Sequence, residues 1–296
     1  MSRLATAGFR RTRARPARTA LGRRLARWRR RLAPWTRRFS RWARWAFQQL
    51  RAAPVQVQLI VLAAFVVTLF FALNGIYQVV RKPAELFFPV AGTLNKAPAE
   101  TWRKYEPLFR EHSTAVMTPD LLAALAQVEG AGNPVARTYW RWRFSWNPFE
   151  MYQPASSAVG MYQITNAAFR DAKRYCIHNN VVVEDGPWHD LGSCWFNGLY
   201  TRVIPSHSIE MTSAYLDRYV EWTLVRRRIF SATLQQKQDM AALVHLCGPT
   251  AGDAYARRGF QLTATARCGD HDARVYLARV NAMKRYFAFK ANAGDD

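Results

Sequence analysis

The sequence lacks the residue patterns of several common enzyme classes. Its 296 residues contain no glycine-rich phosphate-binding loop, no Ser-His-Asp phrase and no internal repeat. Only four cysteines occur, without the close paired spacing of zinc modules, so a metal site is not favoured. The histidines that could assist such a site are His178, His189, His245 and His271. We therefore expect no metal and no cofactor.

Residues 1–54 contain no acidic side chain and no lysine. They hold 17 of the 43 basic side chains, all arginine, which leaves 26 basic against 20 acidic side chains in the remainder. Large apolar side chains recur in this arm at alternating steps of four and three residues, typical of a basic helix on anionic lipid, interrupted at Pro34. They are Leu21, Leu25, Trp28, Leu32, Trp35, Phe39 and Trp42.

Two other roles of this arm stay open. It can be a solvated tail that only sets membrane topology, or a surface of arginine and aromatic side chains for nucleic acid or a protein. Nothing in it indicates reading of a base sequence, so nucleic acid is the least favoured partner. We expect membrane lipid as a partner and leave unidentified envelope proteins open.

Residues 55–80 contain no charged side chain and include an unbroken apolar run from Leu59 to Val67. As a helix they would extend roughly 39 Å, enough to cross a hydrocarbon core of about 30 Å. A cleaved signal peptide is less favoured because the preceding basic region is too long. The 17 arginines before the span outweigh Arg81 and Lys82 after it, so the arm is predicted to be cytoplasmic.

All four cysteines lie beyond this predicted span. An even number of cysteines outside the cytoplasm indicates two disulfides. Three pairings are open, and proximity along the chain favours Cys176 with Cys194 and Cys247 with Cys268.

A helix is predicted after Thr118, which is suited to the N-cap, with Pro119 at the first helical position. Gly130 and Gly132 should end it, which leaves Glu129 in the last turn.

Glu129 shares the apolar face of this helix with Leu122 and Leu125. Burial and the helix dipole would both favour its protonated form, which can donate a proton to a leaving oxygen. The structural alternative is a glutamate that extends into solvent or pairs with an arginine.

Four short sequence motifs occur one after another, beginning inside this helix. They are Glu129-Gly130, Gly160-Met161-Tyr162-Gln163, the run Val244-His245-Leu246-Cys247-Gly248-Pro249, and Tyr276-Leu277 followed by Arg279-Val280. Because of these four motifs, residues 118–290 resemble the lysozyme-like lytic transglycosylase family. The family usually has Ser at position 130 and Asn at position 246, where this chain has Gly130 and Leu246.

The resemblance implies a mainly α fold: a lysozyme-like domain with a minor β element, here preceded by one transmembrane helix. It implies peptidoglycan glycan strands as substrate and Glu129 as the acid, then the base, that forms a 1,6-anhydro product. Gln163 and Tyr276 would position Glu129 or the sugar, and Met161, Tyr162 and His245 are further substrate-binding candidates. The implied location is a bacterial inner membrane, with the catalytic domain in the periplasm.

Two other functions stay open. A hydrolytic muramidase would need a second carboxylate, and no phrase marks one among Glu150, Asp171, Glu184 and Asp185. A cell-wall-binding scaffold that keeps the fold without activity is the other alternative.

The remaining segments complete the predicted organisation. Residues 81–117, broken by prolines, are predicted to be a juxtamembrane connector, and residues 291–296 a tail. Seven aromatic side chains lie within residues 139–152, and at least one is expected to line the glycan groove beside Arg141 and Arg143. Further helices are predicted at residues 165–176, 208–234, 235–247 and 271–289, and Val181 to Val183 is the only clear strand-like run.

Overall fold

The computed structural model of the chain describes residues 38, 40–87, 89–190 and 192–293. The chain divides into two compact units, Met1–Ala72 and Leu73–Asp296. The prediction of a lipid-bound helix in the basic arm falls largely on residues 1–37, outside the described residues.

The described part of the chain is mainly helical, as the sequence predicts. Its principal helices are α1 (Val55–Arg81), α2 (Pro98–Glu111), α3 (Pro119–Gly130), α4 (Asn166–Ala172), α5 (Pro205–Arg227), α6 (Leu234–Cys247), α7 (Pro249–Arg257) and α8 (Ala273–Ala293). Short 3-10 helices occur at Pro83–Phe87, Ala91–Leu94, Pro148–Glu150 and Trp195–Leu199.

Helix α1 is the apolar segment found in the sequence. Its 27 residues are long and apolar enough to cross a membrane, and its predicted bounds differ from the observed ones by one residue. Its last turns carry two buried amide side chains, Asn74 and Gln78. Asn74 Nδ2 donates to the carbonyl of Tyr152 at 2.8 Å, and Gln78 Nε2 donates to that of Phe149 at 2.6 Å. The end of α1 is thereby docked on the residues that follow Trp146.

Helix α3 lies at the centre of the folded core. Every residue from Leu121 to Ala126 is buried, so the helix is covered on all sides rather than along one stripe. It packs against α2 and α8. Thr118 is the N-cap, as predicted, but its hydroxyl accepts a hydrogen bond from Gln238 Nε2 instead of capping the helix.

Helix α2 belongs to the same core, which corrects the prediction of a connector over residues 81–117. Trp102 stacks on Phe109 and on Phe287 of α8, with ring centroids 6.3 and 5.7 Å apart. Pro107 lies inside α2 rather than ending it. Burial of the aromatic face of α2 outweighs the backbone hydrogen bond lost at that proline.

Within the described residues, six short strands form three separate antiparallel hairpins. They are β1 (Trp140–Trp142) with β2 (Tyr152–Pro154), β3 (Tyr175–His178) with β4 (Val181–Glu184), and β5 (Arg267–Cys268) with β6 (His271–Asp272). Strand β4 confirms the strand predicted at Val181 to Val183. Asn179 and Asn180 both have positive φ between β3 and β4, as tight hairpin turns require.

Two predicted helices are too long. The helix predicted for residues 165–176 ends at Ala172, because Tyr175 and Cys176 pair with β4 instead. The helix predicted for residues 208–234 ends at Arg227, since Arg228 adopts a left-handed conformation with φ 55°.

The four cysteines form the two pairs that proximity favours. The Cα atoms of Cys176 and Cys194 are 5.4 Å apart, and those of Cys247 and Cys268 are 5.3 Å apart. The first disulfide ties β3 to the 3-10 helix that begins at Trp195. The second ties the end of α6 to β5, just before α8.

Candidate functional site

Glu129 lies in the last turn of α3, where the buried helix reaches the surface. Ala131 caps the end of the helix, and its left-handed conformation (φ 48°) lets the amides of Ala131 and Gly132 donate to carbonyls of the last turns. The Glu129 side chain retains 17% of its exposure. The carboxylate is therefore shielded on most sides and open on one.

The phenol of Tyr276 holds this carboxylate. Its hydroxyl donates a hydrogen bond to Glu129 Oε1 at 2.6 Å, from a residue 147 positions along the chain on α8. Burial, and then the neighbouring charge of Glu129, raise the pKa of Tyr276 well above its ordinary value. Tyr276 therefore stays protonated and remains a donor. The other carboxylate oxygen of Glu129, Oε2, receives no hydrogen bond from Tyr276.

His245, at the end of α6, approaches the same carboxylate oxygen. Its Nε2 is 3.8 Å from Glu129 Oε1, beyond a direct hydrogen bond. Its ring and that of Tyr162 are nearly perpendicular, with ring centroids 6.4 Å apart. Three chain segments distant in sequence therefore meet at Glu129.

Two grooves are lined by residues of this group. The first, of about 580 Å³, is lined by Glu129 together with Tyr139, Arg137 and Arg279. Its cationic side chains suit a ligand that carries carboxylates. Tyr139 belongs to the aromatic stretch that was expected to contribute a side chain to such a groove.

The second groove, of about 280 Å³, contains His245 and Gln163. Gln163 has a positive φ of 47°, a conformation that costs on the order of 1 kcal/mol in a residue other than glycine. Its Nε2 donates to the carbonyl of Gly160 at 2.9 Å. Leu246, at the position where the family that the sequence resembles usually has Asn, also lines this groove. Its apolar side chain presents no hydrogen-bonding group there.

Two predicted substrate-binding side chains are buried in the core. Met161 and Tyr162 have no exposed surface, and the Tyr162 hydroxyl donates to the carbonyl of Leu122 at 3.1 Å. The prediction that these side chains contact substrate is therefore wrong. They anchor the turn that carries Gln163 against α3.

The backbone of Met161 lies directly against Gly130 and leaves no room for a side chain there. A Cβ at position 130 would meet the carbonyl oxygen of Met161 at 2.8 Å and its Cα at 2.9 Å. The serine that the family usually has here would not fit unless this backbone moved.

The four candidates for a second carboxylate are differently placed. Three of them form ion pairs with arginine: Glu150 with Arg81, and both Glu184 and Asp185 with Arg174. Asp171 lines the second groove with His245. Asp171 is therefore the candidate that borders the site.

Comparison with known proteins assigns no family and no function to this chain. No family model and no curated protein matches this chain. Within the described residues, no three His, Cys, Asp or Glu side chains lie close enough to hold a metal ion. The site is therefore defined by its geometry: a tyrosine-bound carboxyl group that lines one groove, 3.8 Å from a histidine that lines a second.

Two groove residues were missed in the sequence. Arg279 belongs to the last of the four sequence motifs, but the resemblance assigns it no role. Arg137 follows the end of α3, and no local pattern marks it. It also lies 3.5 Å from the buried carboxylate of Glu85, a contact formed only by folding.

Proposed function

We propose that this chain is a membrane-tethered lytic transglycosylase that cleaves the β-1,4 bond between N-acetylmuramic acid and N-acetylglucosamine in peptidoglycan. The observation that carries the proposal is the 2.6 Å hydrogen bond from Tyr276 to Glu129 at the edge of an open groove. A held, partly shielded carboxyl group is what general acid catalysis at a glycosidic oxygen requires. A lysozyme-like fold belongs to the same proposal and agrees with the mainly helical architecture.

One carboxyl group suffices for the proposed reaction. Glu129 donates its proton to the bridging oxygen, and the bond from that oxygen to C1 of the muramic acid residue breaks. The C6 hydroxyl of the same sugar then attacks C1 and returns its proton to Glu129. The products are a free 4-hydroxyl and a 1,6-anhydro sugar, and no water is consumed.

The surrounding residues have positioning roles in this proposal. Tyr276 fixes Oε1, so Oε2 is oriented to transfer the proton. Arg137 and Arg279 would meet lactyl or peptide carboxylates, and Tyr139 would stack on a pyranose ring. His245 and Gln163 would contact the strand on the other side of Glu129.

The proposed location is a bacterial inner membrane, with the arm in the cytoplasm and residues beyond α1 in the periplasm. A helix that could span a membrane and 17 arginines on one side of it support this orientation. The two disulfides are typical of an oxidising compartment. The substrate and the proposed active site would then lie on the same side of the membrane.

Product mass tests the reaction directly. The full chain in detergent is incubated with purified cell-wall sacculi, and the released fragments are weighed by mass spectrometry. We expect muropeptides that end in an anhydro sugar, one water lighter than hydrolysis products. Fragments with reducing ends would identify a hydrolase instead, and the absence of any release would favour a wall-binding scaffold.

Tyr276→Phe tests the positioning of Glu129. Loss of a hydrogen bond to a charged group is worth about 1.5–3 kcal/mol, so we expect glycan release to fall roughly 10- to 100-fold. Tyr286→Phe, at a partly exposed position on the same helix, is the matched control and should retain activity. Equal activities of the two variants would remove Tyr276 from the mechanism.

Asp171 makes hydrolysis the second candidate, because it is the possible second carboxylate that lines a groove at the site. If water were the nucleophile, Asp171→Asn would lose activity and the products of the parent protein would carry reducing ends. For the transglycosylase, we expect Asp171→Asn to retain the anhydro products. The pattern of product mass and variant activity therefore separates the two reactions.

A further inference from the structure

The connection between strands β1 and β2 exposes two large aromatic side chains. Phe144 is 85% exposed and Trp146 is 94% exposed. Their rings contact each other edge to face, with centroids 6.0 Å apart. Two adjacent apolar rings exposed to water at the end of a hairpin indicate a surface that contacts an apolar environment.

The hairpin runs along the segment that follows the apolar part of α1. At its base, Trp140 Nε1 donates to Glu85 Oε2 at 2.9 Å. Nearer its tip, the carbonyl of Tyr152 accepts from Asn74, eleven residues earlier in the chain than Glu85. Within the tip, residues 143–151, Phe149 and Glu150 contact the last turns of α1 at Gln78 and Arg81. The tip therefore lies beside the residues that directly follow the apolar part of the helix.

A basic groove accompanies the aromatic tip. Arg141 and Arg143 line it together with Arg81 and Lys82. Alternation along the strand directs the two hairpin arginines to the face opposite Trp142. In the described part of the chain, Arg81 pairs with Glu150 and Lys82 with Glu85, whereas neither Arg141 nor Arg143 forms an ion pair with a carboxylate.

We propose that the tip of this hairpin enters the headgroup layer of an anionic bilayer. Phe144 and Trp146 would lie at the boundary with the acyl chains, where amphipathic aromatic rings are favoured. Arg141 and Arg143 would bind lipid phosphates from the basic groove. The proposal rests on α1 crossing that bilayer, and it is independent of the catalytic role of Glu129.

Sugar stacking is the rival use of exposed aromatic rings. The groove beside Glu129 is lined by Tyr139, and neither Phe144 nor Trp146 borders it. The tip is instead covalently continuous with the segment docked on the end of α1. This placement favours lipid over glycan as the partner of the tip.

Fluorine NMR on the full chain tests the proposal. The protein is labelled with 5-fluorotryptophan and reconstituted in nanodiscs of phosphatidylglycerol and phosphatidylcholine. Trp146→Phe and Trp188→Phe assign two resonances by their disappearance. Trp188, 78% exposed on a separate loop, is the internal control. Each resonance is then measured with a nitroxide on the lipid headgroup and, separately, with a water-soluble paramagnetic complex.

We expect the headgroup nitroxide to broaden the Trp146 resonance, and the aqueous complex to broaden that of Trp188. Arg141→Gln combined with Arg143→Gln should reduce the lipid effect on Trp146 by roughly twofold or more in anionic discs, and leave it unchanged in neutral discs. Equal aqueous access of both tryptophans would overturn the proposal, as would protection of Trp146 by added glycan fragments. Failure of the chain to co-elute with the discs would show that α1 is not embedded and would overturn it too.

Discussion

Glu129→Gln is expected to abolish release of anhydro muropeptides from sacculi. A positioned general acid contributes about 10²- to 10⁴-fold to rate, and the amide N–H groups are too weakly acidic to protonate the bridging oxygen. Glutamine fills the same volume, so no cavity opens at the end of α3. Tyr276 can still donate to the amide oxygen. The expected result is therefore a folded protein whose anhydro product falls by at least about a hundredfold.

Glu111→Gln is the matched control for this variant. It makes the same chemical change at an exposed position at the end of α2. We expect full activity from it, and circular dichroism spectra of both variants that match the parent. Undiminished release from Glu129→Gln would falsify the proposed mechanism, whatever the activity of the control.

Gly160→Ala is expected to destabilise the folded domain by about 3 kcal/mol. Gly160 has a φ of 85°, in a region that other residues adopt only with strain. A Cβ there would also overlap the backbone carbonyl oxygen of Arg202. Arg202 cannot move aside freely, because its guanidinium donates to the carbonyls of Ser157 and Ile164 at 2.8 and 2.7 Å.

Denaturant unfolding of the full chain in detergent, followed by near-ultraviolet circular dichroism, measures this effect. Gly198→Ala is the matched control, since a Cβ at position 198 meets no atom within 4 Å. We expect the control to change stability by no more than about 0.5 kcal/mol. Similar midpoints for the two variants would contradict the close contact at Gly160. Activity should also fall in Gly160→Ala, because the same turn places Met161 against Gly130, beside Glu129.

Local signals in the sequence predict some elements well. Thr118, Pro119 and Gly130 define α3 correctly, because helix ends depend on neighbouring residues. The absence of charge likewise defines α1. Tyr175 and Cys176 were assigned to a helix in error, since their strand depends on pairing with β4. The helix propensity of neighbouring residues does not predict that tertiary contact.

The candidate site depends on contacts that local patterns do not encode. Tyr276 and Glu129 lie 147 positions apart, and only the resemblance to a known family placed them together in advance. The same phrase that correctly brought Gln163 to a groove wrongly assigned Met161 and Tyr162 to substrate. A sequence motif locates a turn near a site, but packing determines which side chains of that turn face the core.

If α1 crosses a membrane as proposed, the docking of Asn74 and Gln78 shortens the part of it that is available to lipid. Residues 55–73 precede these amides and extend about 28 Å as a helix, close to the thickness of a typical hydrocarbon core. The whole helix would need to tilt strongly to fit the same core, whereas this shorter stretch matches it nearly upright. In the proposed membrane-spanning arrangement, the two amides therefore mark where the bilayer ends and constrain the inclination of the helix within it.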